Sequence, residues 1–294
     1  MAVAIHTDAL TKRYGTTLAL DGLTLDVAEG EVFGFLGPNG AGKTTTIRLL
    51  LGVIHASGGS ARVFDLDPWT DAVGLHRRLA YVPGDLSVWP NLTGAETLEL
   101  LGRLHGGFDA DYRDELVKRF DFDPTKKARA YSKGNRQKIG LIAALMTRAD
   151  LLILDEPTSG LDPLMELVFR ECIAEARDGG QTVFLSSHIL AEVEALCGRV
   201  AILRRGRVVE VGTLDELRHL SARTVEVAFR GTPPELKGIP GVESVVRTDG
   251  KLRFQVRGDA GPMLKALCSA DVVAIDSREP SLEELFIAHY GSDR

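Results

Sequence analysis

The sequence Gly37-Pro38-Asn39-Gly40-Ala41-Gly42-Lys43-Thr44 fits the phosphate-loop pattern G-x-x-x-x-G-K-(S/T) at every position. Apolar residues 32–36 predict a buried strand before it, and residues 44–50 predict a helix after it. The glycines let backbone N–H groups turn inward, and the positive helix N-terminus points at the same anion. In this pattern Lys43 reaches the β- and γ-phosphates of a nucleotide, and the Thr44 hydroxyl ligates Mg²⁺. An ordinary Gly-rich turn before a helix is disfavoured, because every part of the pattern is in place.

The length and composition are those of an ordinary globular protein. The chain has 294 residues, 44% of them hydrophobic and 26% charged, and this length suggests about two domains. The net charge of −6 does not favour a general nucleic-acid-binding surface, but it does not exclude a local basic patch. Cysteines at positions 172, 197 and 268 fit neither a metal-binding spacing nor a disulfide framework, so the sequence favours a reducing compartment.

The sequence predicts neither a secretion signal nor a membrane-spanning helix. The amino-terminal residues reach a polar side chain too early for a signal peptide. No uninterrupted apolar run approaches the roughly 18 residues that a membrane helix needs, and the nearest candidate, residues 139–154, is broken by Arg148 and Asp150. If the protein works at a membrane, we expect another chain to supply the spanning helices.

Residues 1–220 predict an α/β domain with a mostly parallel sheet, because strand patterns alternate with helix patterns. Residues 84–150 are mainly helical and predict a helical subdomain inserted into this domain, with Thr93 and Glu96 forming a capping box at a helix start. The predicted strands are residues 3–10, 17–27, 32–36, 60–64, 79–82, 151–154, 181–186, 199–203 and 207–211, and helices are predicted at residues 165–177 and 191–196.

Residues 221–294 predict a small second α+β domain with a ferredoxin-like βαββαβ order. A second capping box, Thr213 with Glu216, starts the short helix that leads into it, and a third starts a final helix at Ser281. The predicted elements are strand 224–229, a weak helix 234–237, strands 242–246 and 252–256, helix 262–269 and strand 272–275.

Polar residues follow two of the predicted buried strands. Asp155 and Glu156 come directly after residues 151–154, and Ser187 and His188 follow residues 181–186. Because ligands of open α/β sheets bind beyond the carboxyl ends of the strands, these residues and the phosphate loop are expected at one sheet edge. There Asp155 suits the Mg²⁺ shell and Glu156 suits the activation of water. The alternatives are two solvated loop acids and a histidine with no chemical role, and the neighbouring phosphate loop favours the catalytic interpretation.

Taken together and in this order, the motifs resemble those of the ATP-binding subunits of ABC transporters, and residues 1 to about 215 resemble one complete cassette. The resemblance implies a mostly parallel sheet, an antiparallel β subdomain and an inserted helical subdomain. It implies that Tyr14 stacks on adenine, that Glu156, His188 and Lys43 are catalytic, and that Thr44 and Asp155 ligate Mg²⁺. The segment Ser159-Gly160-Leu161-Asp162 matches the D-loop. The residues similar to the Walker A motif, which binds ATP, are Gly37, Pro38, Asn39, Gly40, Ala41, Gly42, Lys43, Thr44 and Thr45.

Two motifs depart from the family pattern. The signature L-S-G-G-Q is replaced by Tyr131-Ser132-Lys133-Gly134-Asn135. In the family this segment contacts the γ-phosphate bound by the opposing subunit, and Ser132 still suits a helix start. Lys133 either tightens that contact or faces solvent. At the position of the Q-loop glutamine the chain has Gly84, so either Asp85 substitutes or the side-chain contact is absent.

The apolar residues 86–90, which include Trp89, follow the Q-loop position. In the family the membrane subunit docks near here, and an exposed apolar segment suits a partner site; the alternative is that Trp89 covers the core of the helical subdomain. Residues 280–286 resemble the tails of bacterial export ATPases of the daunorubicin-resistance type. Such a tail regulates the ATPase, helps to hold a dimer or braces the cassette.

The resemblance implies an ATPase that powers export of a hydrophobic drug, antibiotic or lipid-like substrate through separate transmembrane subunits. Its expected cofactors are ATP and Mg²⁺, and its expected partner is a second cassette, in a homodimer. The expected location is the cytoplasmic face of a bacterial cell membrane, and no nucleic acid is expected as a partner. The alternatives are the ATPase of an importer, a soluble ABC protein acting on ribosomes or DNA, and a nucleotide-binding regulator without turnover.

Overall fold

The computed structural model describes residues 2–219, 223–231, 233–248, 251–268 and 270–278. The chain forms two compact units, which divide between Val211 and Gly212, close to the boundary predicted near residue 221. Among the described residues, no helix combines the length and the apolar character needed to cross a membrane.

The elements of the first unit follow the predicted alternation of strands and helices. The strands are β1 (Val3–Tyr14), β2 (Thr17–Ala28), β3 (Val32–Leu36), β4 (Gly58–Val63), β5 (Leu79–Val82), β6 (Leu151–Asp155), β7 (Thr182–Ser187), β8 (Arg199–Arg204) and β9 (Arg207–Thr213). The helices are α1 (Lys43–Leu50), α2 (Ala72–His76), α3 (Gly94–His105), α4 (Ala110–Arg119), α5 (Lys133–Leu145), α6 (Pro163–Asp178) and α7 (Leu190–Leu196).

A six-stranded sheet of order β5-β6-β7-β3-β8-β9 forms the centre of this unit. The first five strands in that order pair in parallel, as predicted. Every residue of β3, β6 and β7 is buried, which explains why these strands have continuous apolar stretches rather than alternating patterns. The rings of Phe35 and Phe184 pack 5.1 Å apart between neighbouring strands. The carboxyl ends of β3, β6 and β7 therefore lie side by side.

A second, antiparallel sheet of order β2-β1-β4 shares the core of the first unit. Its inward residues, such as Ile5 and Leu23, belong to the same buried cluster as Phe35 of the parallel sheet and Ile47 of α1. The phosphate-loop helix is thus held by apolar contacts to both sheets. The predicted antiparallel β subdomain is confirmed.

The inserted helices α3, α4 and α5 lie between β5 and β6 in the chain and pack on one another. The predicted capping box begins α3. Thr93 Oγ1 accepts a hydrogen bond from the Glu96 N–H at 3.2 Å, and the Thr93 N–H donates to Glu96 Oε2 at 2.7 Å. Two helix-terminal donors are thereby satisfied without water, and the predicted helix start is confirmed.

The second unit contains α8 (Leu214–His219), β10 (Arg223–Phe229), β11 (Val242–Thr248), β12 (Lys251–Val256), α9 (Gly261–Leu267) and β13 (Val272–Arg278). Its strands pair antiparallel in the order β11-β12-β10-β13. Val227, Phe254 and Met263 belong to its buried core, which joins the sheet to α9. The capping box predicted at Thr213 and Glu216 is formed, with both reciprocal hydrogen bonds present.

One predicted helix of this unit is wrong: residues 234–237 are not helical. Pro233 and Pro234 lack N–H donors and push the preceding residue away from helical geometry, and Gly238 ends the segment with a φ of +91°. Too few residues remain between them to nucleate a helix. Leu236 is nevertheless buried in the core, so an irregular segment fills the helix position. The final helix predicted from Ser281 lies outside the described residues.

The capping box of α3 gives a stability prediction. Thr93→Ala removes the hydroxyl that accepts the Glu96 N–H, so we expect a loss of about 1 kcal/mol of unfolding free energy. In thermal unfolding this corresponds to a melting temperature lower by about 2–4 °C. Thr16→Ala is the matched control, because Thr16 is exposed and its hydroxyl makes no hydrogen bond among the described residues. Equal melting of T93A and T16A would contradict the prediction.

Candidate active site

The predicted phosphate loop connects β3 to α1. Gly37 and Ala41 are buried at its two ends, and Asn39 and Gly40 are exposed at its tip. Gly42 has a φ of +114°, and a Cβ there would lie 2.7 Å from Leu20 Cδ2. Glycine is therefore required at this position for both backbone and packing reasons. Pro38 closes the loop by accepting the Ala41 N–H at 3.1 Å, and Thr45 lies in the first turn of α1.

Lys43 is buried among oxygen atoms at the start of α1, with 5% of its surface exposed. Its Nζ donates to the Gly37 carbonyl at 2.7 Å and lies 3.4 Å from Glu156 Oε1. A buried ammonium requires such acceptors, because its transfer from water is otherwise very unfavourable. The same ammonium can exchange these oxygens for phosphate oxygens with little movement of the backbone.

Asp155, the last residue of β6, joins the phosphate loop to the sheet. Its Oδ2 accepts a hydrogen bond from Thr44 Oγ1 at 2.9 Å, and its Oδ1 accepts one from Ser186 Oγ. Burial, followed by the negative charge of Asp155, raises the pKa of Tyr81 to about 12, so that phenol stays neutral. Hydroxyl and carboxylate oxygens are the hard ligands that Mg²⁺ prefers. The sequence-based pairing of Thr44 with Asp155 therefore has a geometric basis.

Glu156 and His188 meet beyond the ends of β6 and β7. His188 Nδ1 lies 3.1 Å from Glu156 Oε1, the oxygen that also faces Lys43. Glu156 has a φ of +49°, a left-handed conformation that is unfavourable for a residue with a side chain. The Glu156 N–H donates to the Ser186 carbonyl at 3.0 Å, which holds this conformation. All three predicted catalytic residues thus converge on one carboxylate oxygen.

The loop after β5 touches the acidic pair through Gly84. A Cβ at this residue would lie 3.1 Å from the Asp155 carbonyl oxygen and 3.6 Å from Glu156 Cβ. Asp85 instead lines a cavity of about 340 Å³ together with Arg129 and Arg136 of the helical subdomain. The arrangement favours the second alternative from the sequence, in which the side-chain contact of the Q-loop glutamine is absent.

The signature segment begins α5, as predicted: Ser132 Oγ accepts the Asn135 N–H at 3.2 Å and caps the helix. Lys133 Nζ donates to Ser159 Oγ at 2.8 Å, and a Cβ added at Gly134 would overlap the Gly160 carbonyl oxygen. The signature therefore packs on the D-loop of its own chain. No hydrogen bond or ion pair joins it to the phosphate loop among the residues that the structure describes.

Two further predicted site residues lie at the borders of the site. Asp162 caps α6, where its Oδ1 accepts the N–H groups of Leu164 and Met165 at 3.1 Å each. Tyr14 ends β1 with 45% of its surface exposed, and Lys12 Nζ lies 5.0 Å from its ring centroid. An exposed ring of this kind can stack on a planar ligand.

Comparison with known proteins identifies the family. Residues 20–159 match the family described as "ABC transporter", and residues 212–290 match "ATP-binding protein DrrA1-3-like, C-terminal domain". The chain is 37% identical over 308 residues to the daunorubicin resistance ATP-binding protein DrrA3 of Streptomyces coeruleorubidus, covering 99% of this chain and 97% of the relative. This chain belongs to the family of ABC transporter ATP-binding subunits. Members of this family hydrolyse ATP for a transporter, so the resemblance inferred from the motifs is confirmed.

Other relatives of this ABC subunit extend over the same length. The bacitracin transport ATP-binding protein BcrA of Bacillus licheniformis is 33% identical over 304 residues, which cover 99% of this chain and 98% of BcrA. A solved structure described as the ATP binding subunit of an ABC transporter superposes with a TM-score of 0.67 and 32% identity, covering 73% of this chain and 92% of that chain. The predicted fold class, an ABC cassette, is confirmed.

Sequence reasoning missed two contacts in this ABC cassette. Ser186 donates to Asp155 across the β6–β7 ladder, where the two residues are direct register partners. This contact could have been predicted from the register of the adjacent strands β6 and β7. The contact between Lys133 and Ser159 joins the first residue of α5 to a loop distant in the chain, so no local sequence pattern predicts it.

The close packing of the signature on the D-loop predicts the effect of a methyl group. In Gly134→Ala the added Cβ overlaps the Gly160 carbonyl oxygen, so either α5 or the D-loop must move. We expect ATP hydrolysis to fall by about tenfold or more, since small displacements of catalytic groups have effects of this order. Nucleotide binding to the phosphate loop should stay unchanged in equilibrium titrations. Gly74→Ala in α2 is the control, because a Cβ there meets open space; a normal ATPase rate in G134A would contradict the contact.

Proposed function

We propose that this ABC subunit powers the export of a hydrophobic drug, antibiotic or lipid-like compound through separate transmembrane subunits. The observation that carries the proposal is the match of both units to one kind of protein. The cassette is accompanied by a DrrA1-3-like C-terminal domain, and relatives aligned along almost the whole chain are named for daunorubicin resistance and bacitracin transport. A helix-containing C-terminal unit also differs from the all-β regulatory tail expected for many sugar importers.

In the proposed hydrolytic site, Lys43 binds the β- and γ-phosphates at the positive N-terminus of α1. Thr44 and Asp155 would hold Mg²⁺, whose charge, when bound, neutralises the phosphate oxygens. Glu156 accepts the proton of the attacking water, and His188 holds the Glu156 carboxylate in place from 3.1 Å. Tyr14, exposed at the end of β1, offers its ring to the adenine.

The proposed active unit is a head-to-tail pair of cassettes, in which Ser132, Lys133, Gly134 and Asn135 face the phosphate loop of the other copy. Ser132 caps α5, so the N-terminus of this helix presents a positive end to an incoming phosphate. Leu164 and Leu167, next to the D-loop on α6, are both more than half exposed. Apolar residues left exposed at this position support a protein contact there.

The proposed docking site for the transmembrane subunits is the segment of residues 86–90. Trp89 is 48% exposed, which supports a partner-facing role over a core-covering one. The adjacent cavity of about 340 Å³ is lined by Leu86, Val88 and Pro90 together with two arginines. With spanning helices supplied by the partner, we place the subunit at the cytoplasmic face of a bacterial cell membrane and expect no nucleic acid in its function.

A pull-down from the native host tests the transport function. The tagged chain should elute from detergent-solubilised membranes with a multi-spanning membrane protein, and the eluate should hydrolyse ATP. Trp89→Ala should reduce this recovery. Trp69→Ala is a matched control, because its side chain is also 48% exposed but lies elsewhere in the chain. Elution alone, or with ribosomes or nucleic acid, would rule out the export function and leave the cassette assignment standing.

Glu156→Gln tests the proposed base. The amide has the shape of the carboxylate and cannot accept a proton, so we expect hydrolysis to fall by about a hundredfold or more. ATP binding should persist, and the variant should accumulate as an ATP-dependent dimer in size-exclusion chromatography. Glu29→Gln, at an exposed glutamate in the turn before β3, should behave as the wild type. Normal turnover in E156Q would remove Glu156 from this role.

Lys43→Ala tests the proposed phosphate contact. Removing the buried ammonium takes away the charge that faces the phosphates, so we expect most of the ATP affinity to be lost in a nucleotide titration. Lys118→Ala is the control, because Lys118 is an exposed lysine on α4, away from the phosphate loop. An unchanged ATP dissociation constant in K43A would show that the loop binds nucleotide without this side chain.

A further inference from the structure

Glu192, a buried acid in α7, has no part in the mechanism proposed above. Only 4% of its surface is exposed. Its Oε2 accepts a hydrogen bond from Ser187 Oγ at 2.6 Å, and the same Ser187 Oγ accepts the Ile189 N–H at 2.9 Å. His188 lies between these two residues in the chain. The backbone on both sides of His188 is therefore tied to the Glu192 carboxyl group.

The same carboxyl group also interacts with the loop that carries Glu156. The hydroxyl of Thr158, two residues after Glu156 and 6% exposed, acts on the Glu192 carboxyl and lowers its pKa. The Thr158 carbonyl in turn accepts the Leu161 N–H at 2.9 Å, inside the D-loop segment. Glu192 thus lies between the two loops that leave β6 and β7.

This arrangement is unfavourable for stability. Glu192 Oε1 is buried and makes no hydrogen bond of good geometry among the described residues, and such an atom destabilises a folded protein. Burial raises the pKa of the Glu192 carboxyl, and Glu166 of α6 acts in the same direction. The hydroxyls of Ser187 and Thr158, and Arg170 of α6, act in the opposite direction. An apolar side chain in this place would avoid the penalty, so the position of the acid needs another explanation.

We propose that Glu192 is a positioning residue that keeps His188 next to Glu156 by accepting the hydrogen bond of Ser187, the residue before His188. The proposal rests on the catalytic roles given above to His188 and Glu156. The β6–β7 ladder ends at Asp155 and Ser186, and the β3–β7 ladder ends at Leu36 and Ser187, so strand pairing does not reach His188. Catalytic geometry is sensitive to displacements of about 1 Å, so a side chain that holds the residue before His188 affects the rate of hydrolysis.

The direction of the hydrogen bonds predicts which substitutions are tolerated. Ser187 Oγ donates its hydrogen to Glu192 Oε2, so this contact requires only an oxygen acceptor on the side chain of residue 192. The amide oxygen of glutamine supplies that acceptor at the same reach. Alanine removes it. Glu192→Gln should therefore preserve the position of His188, whereas in Glu192→Ala the His188 side chain should be free to move away from Glu156.

Steady-state ATP hydrolysis by the full chain tests the proposal. In E192A we expect kcat to fall by about tenfold, with KM and the equilibrium affinity for ATP unchanged, because the phosphate loop is not involved. E192Q should keep kcat within about threefold of the wild type. Glu29→Ala, at an exposed acid, is the matched control. Wild-type kcat in E192A, or equal loss in E192A and E192Q, would overturn the proposal.

Measuring the effect of E192A in a variant that already lacks the His188 side chain separates a positioning role from a general structural effect. When His188 is already replaced by alanine, E192A should lower kcat no further, because residues acting through one another are not additive. A full additional loss in H188A would overturn the proposal. If E192A does not fold, Ser187→Ala breaks the same hydrogen bond and should show the same loss and the same non-additivity. Wild-type rates in both H188A and E156Q would contradict the catalytic roles given to these residues under the proposed function, whereas a defect in H188A with normal E192A and S187A would contradict only this inference.

Discussion

The buried carboxylate of Asp155 is the contact on which the geometry of the site depends. It accepts hydrogen bonds from Thr44 at the start of α1 and from Ser186 at the end of β7, while its own backbone ends β6. A buried carboxylate without such donors would strongly destabilise the fold. The side chain of Asp155 can therefore be buried only because these hydrogen bonds are formed. One side chain therefore fixes the phosphate loop against two strands. The carboxyl ends of the parallel sheet meet there, and the other site residues follow within a few positions along the chain.

The features predicted correctly from sequence are those carried by local patterns. The phosphate loop, the capping boxes at Thr93 and Thr213 and the buried strands each follow from residues close together in the chain. The prediction failed at residues 234–237, where Pro233 and Pro234 lack N–H donors and Gly238 ends the segment. Side-chain contacts between separate elements, such as Lys133 with Ser159 and Ser187 with Glu192, could not be predicted, because they depend on how those elements pack.

The departure from the family signature at Lys133 has a structural consequence within one chain. Its ammonium donates to the Ser159 hydroxyl, a neutral acceptor, while Gly134 packs directly on Gly160. A phosphate oxygen is a stronger acceptor for an ammonium than a hydroxyl, because the hydrogen bond is then charge-assisted on both sides. In the proposed dimer, Lys133 would leave the D-loop for the phosphate of the other copy. The hydrogen bond from Lys133 to Ser159 would then be broken, while the packing of Gly134 on Gly160 would still hold the signature segment against the D-loop.

Two features near the site are unfavourable for the stability of the fold. Glu156 adopts a left-handed backbone conformation that costs about 1–2 kcal/mol, and Glu192 buries a carboxyl oxygen without a hydrogen-bond partner of good geometry among the described residues. Glycine at the first position and an apolar residue at the second would relieve both penalties and stabilise the fold. Each would also remove the acid itself. The left-handed turn aims Glu156 between Lys43 and His188, and the buried acid holds the segment that carries His188. Both features place reactive groups of the site, which explains why they are present despite their cost in stability.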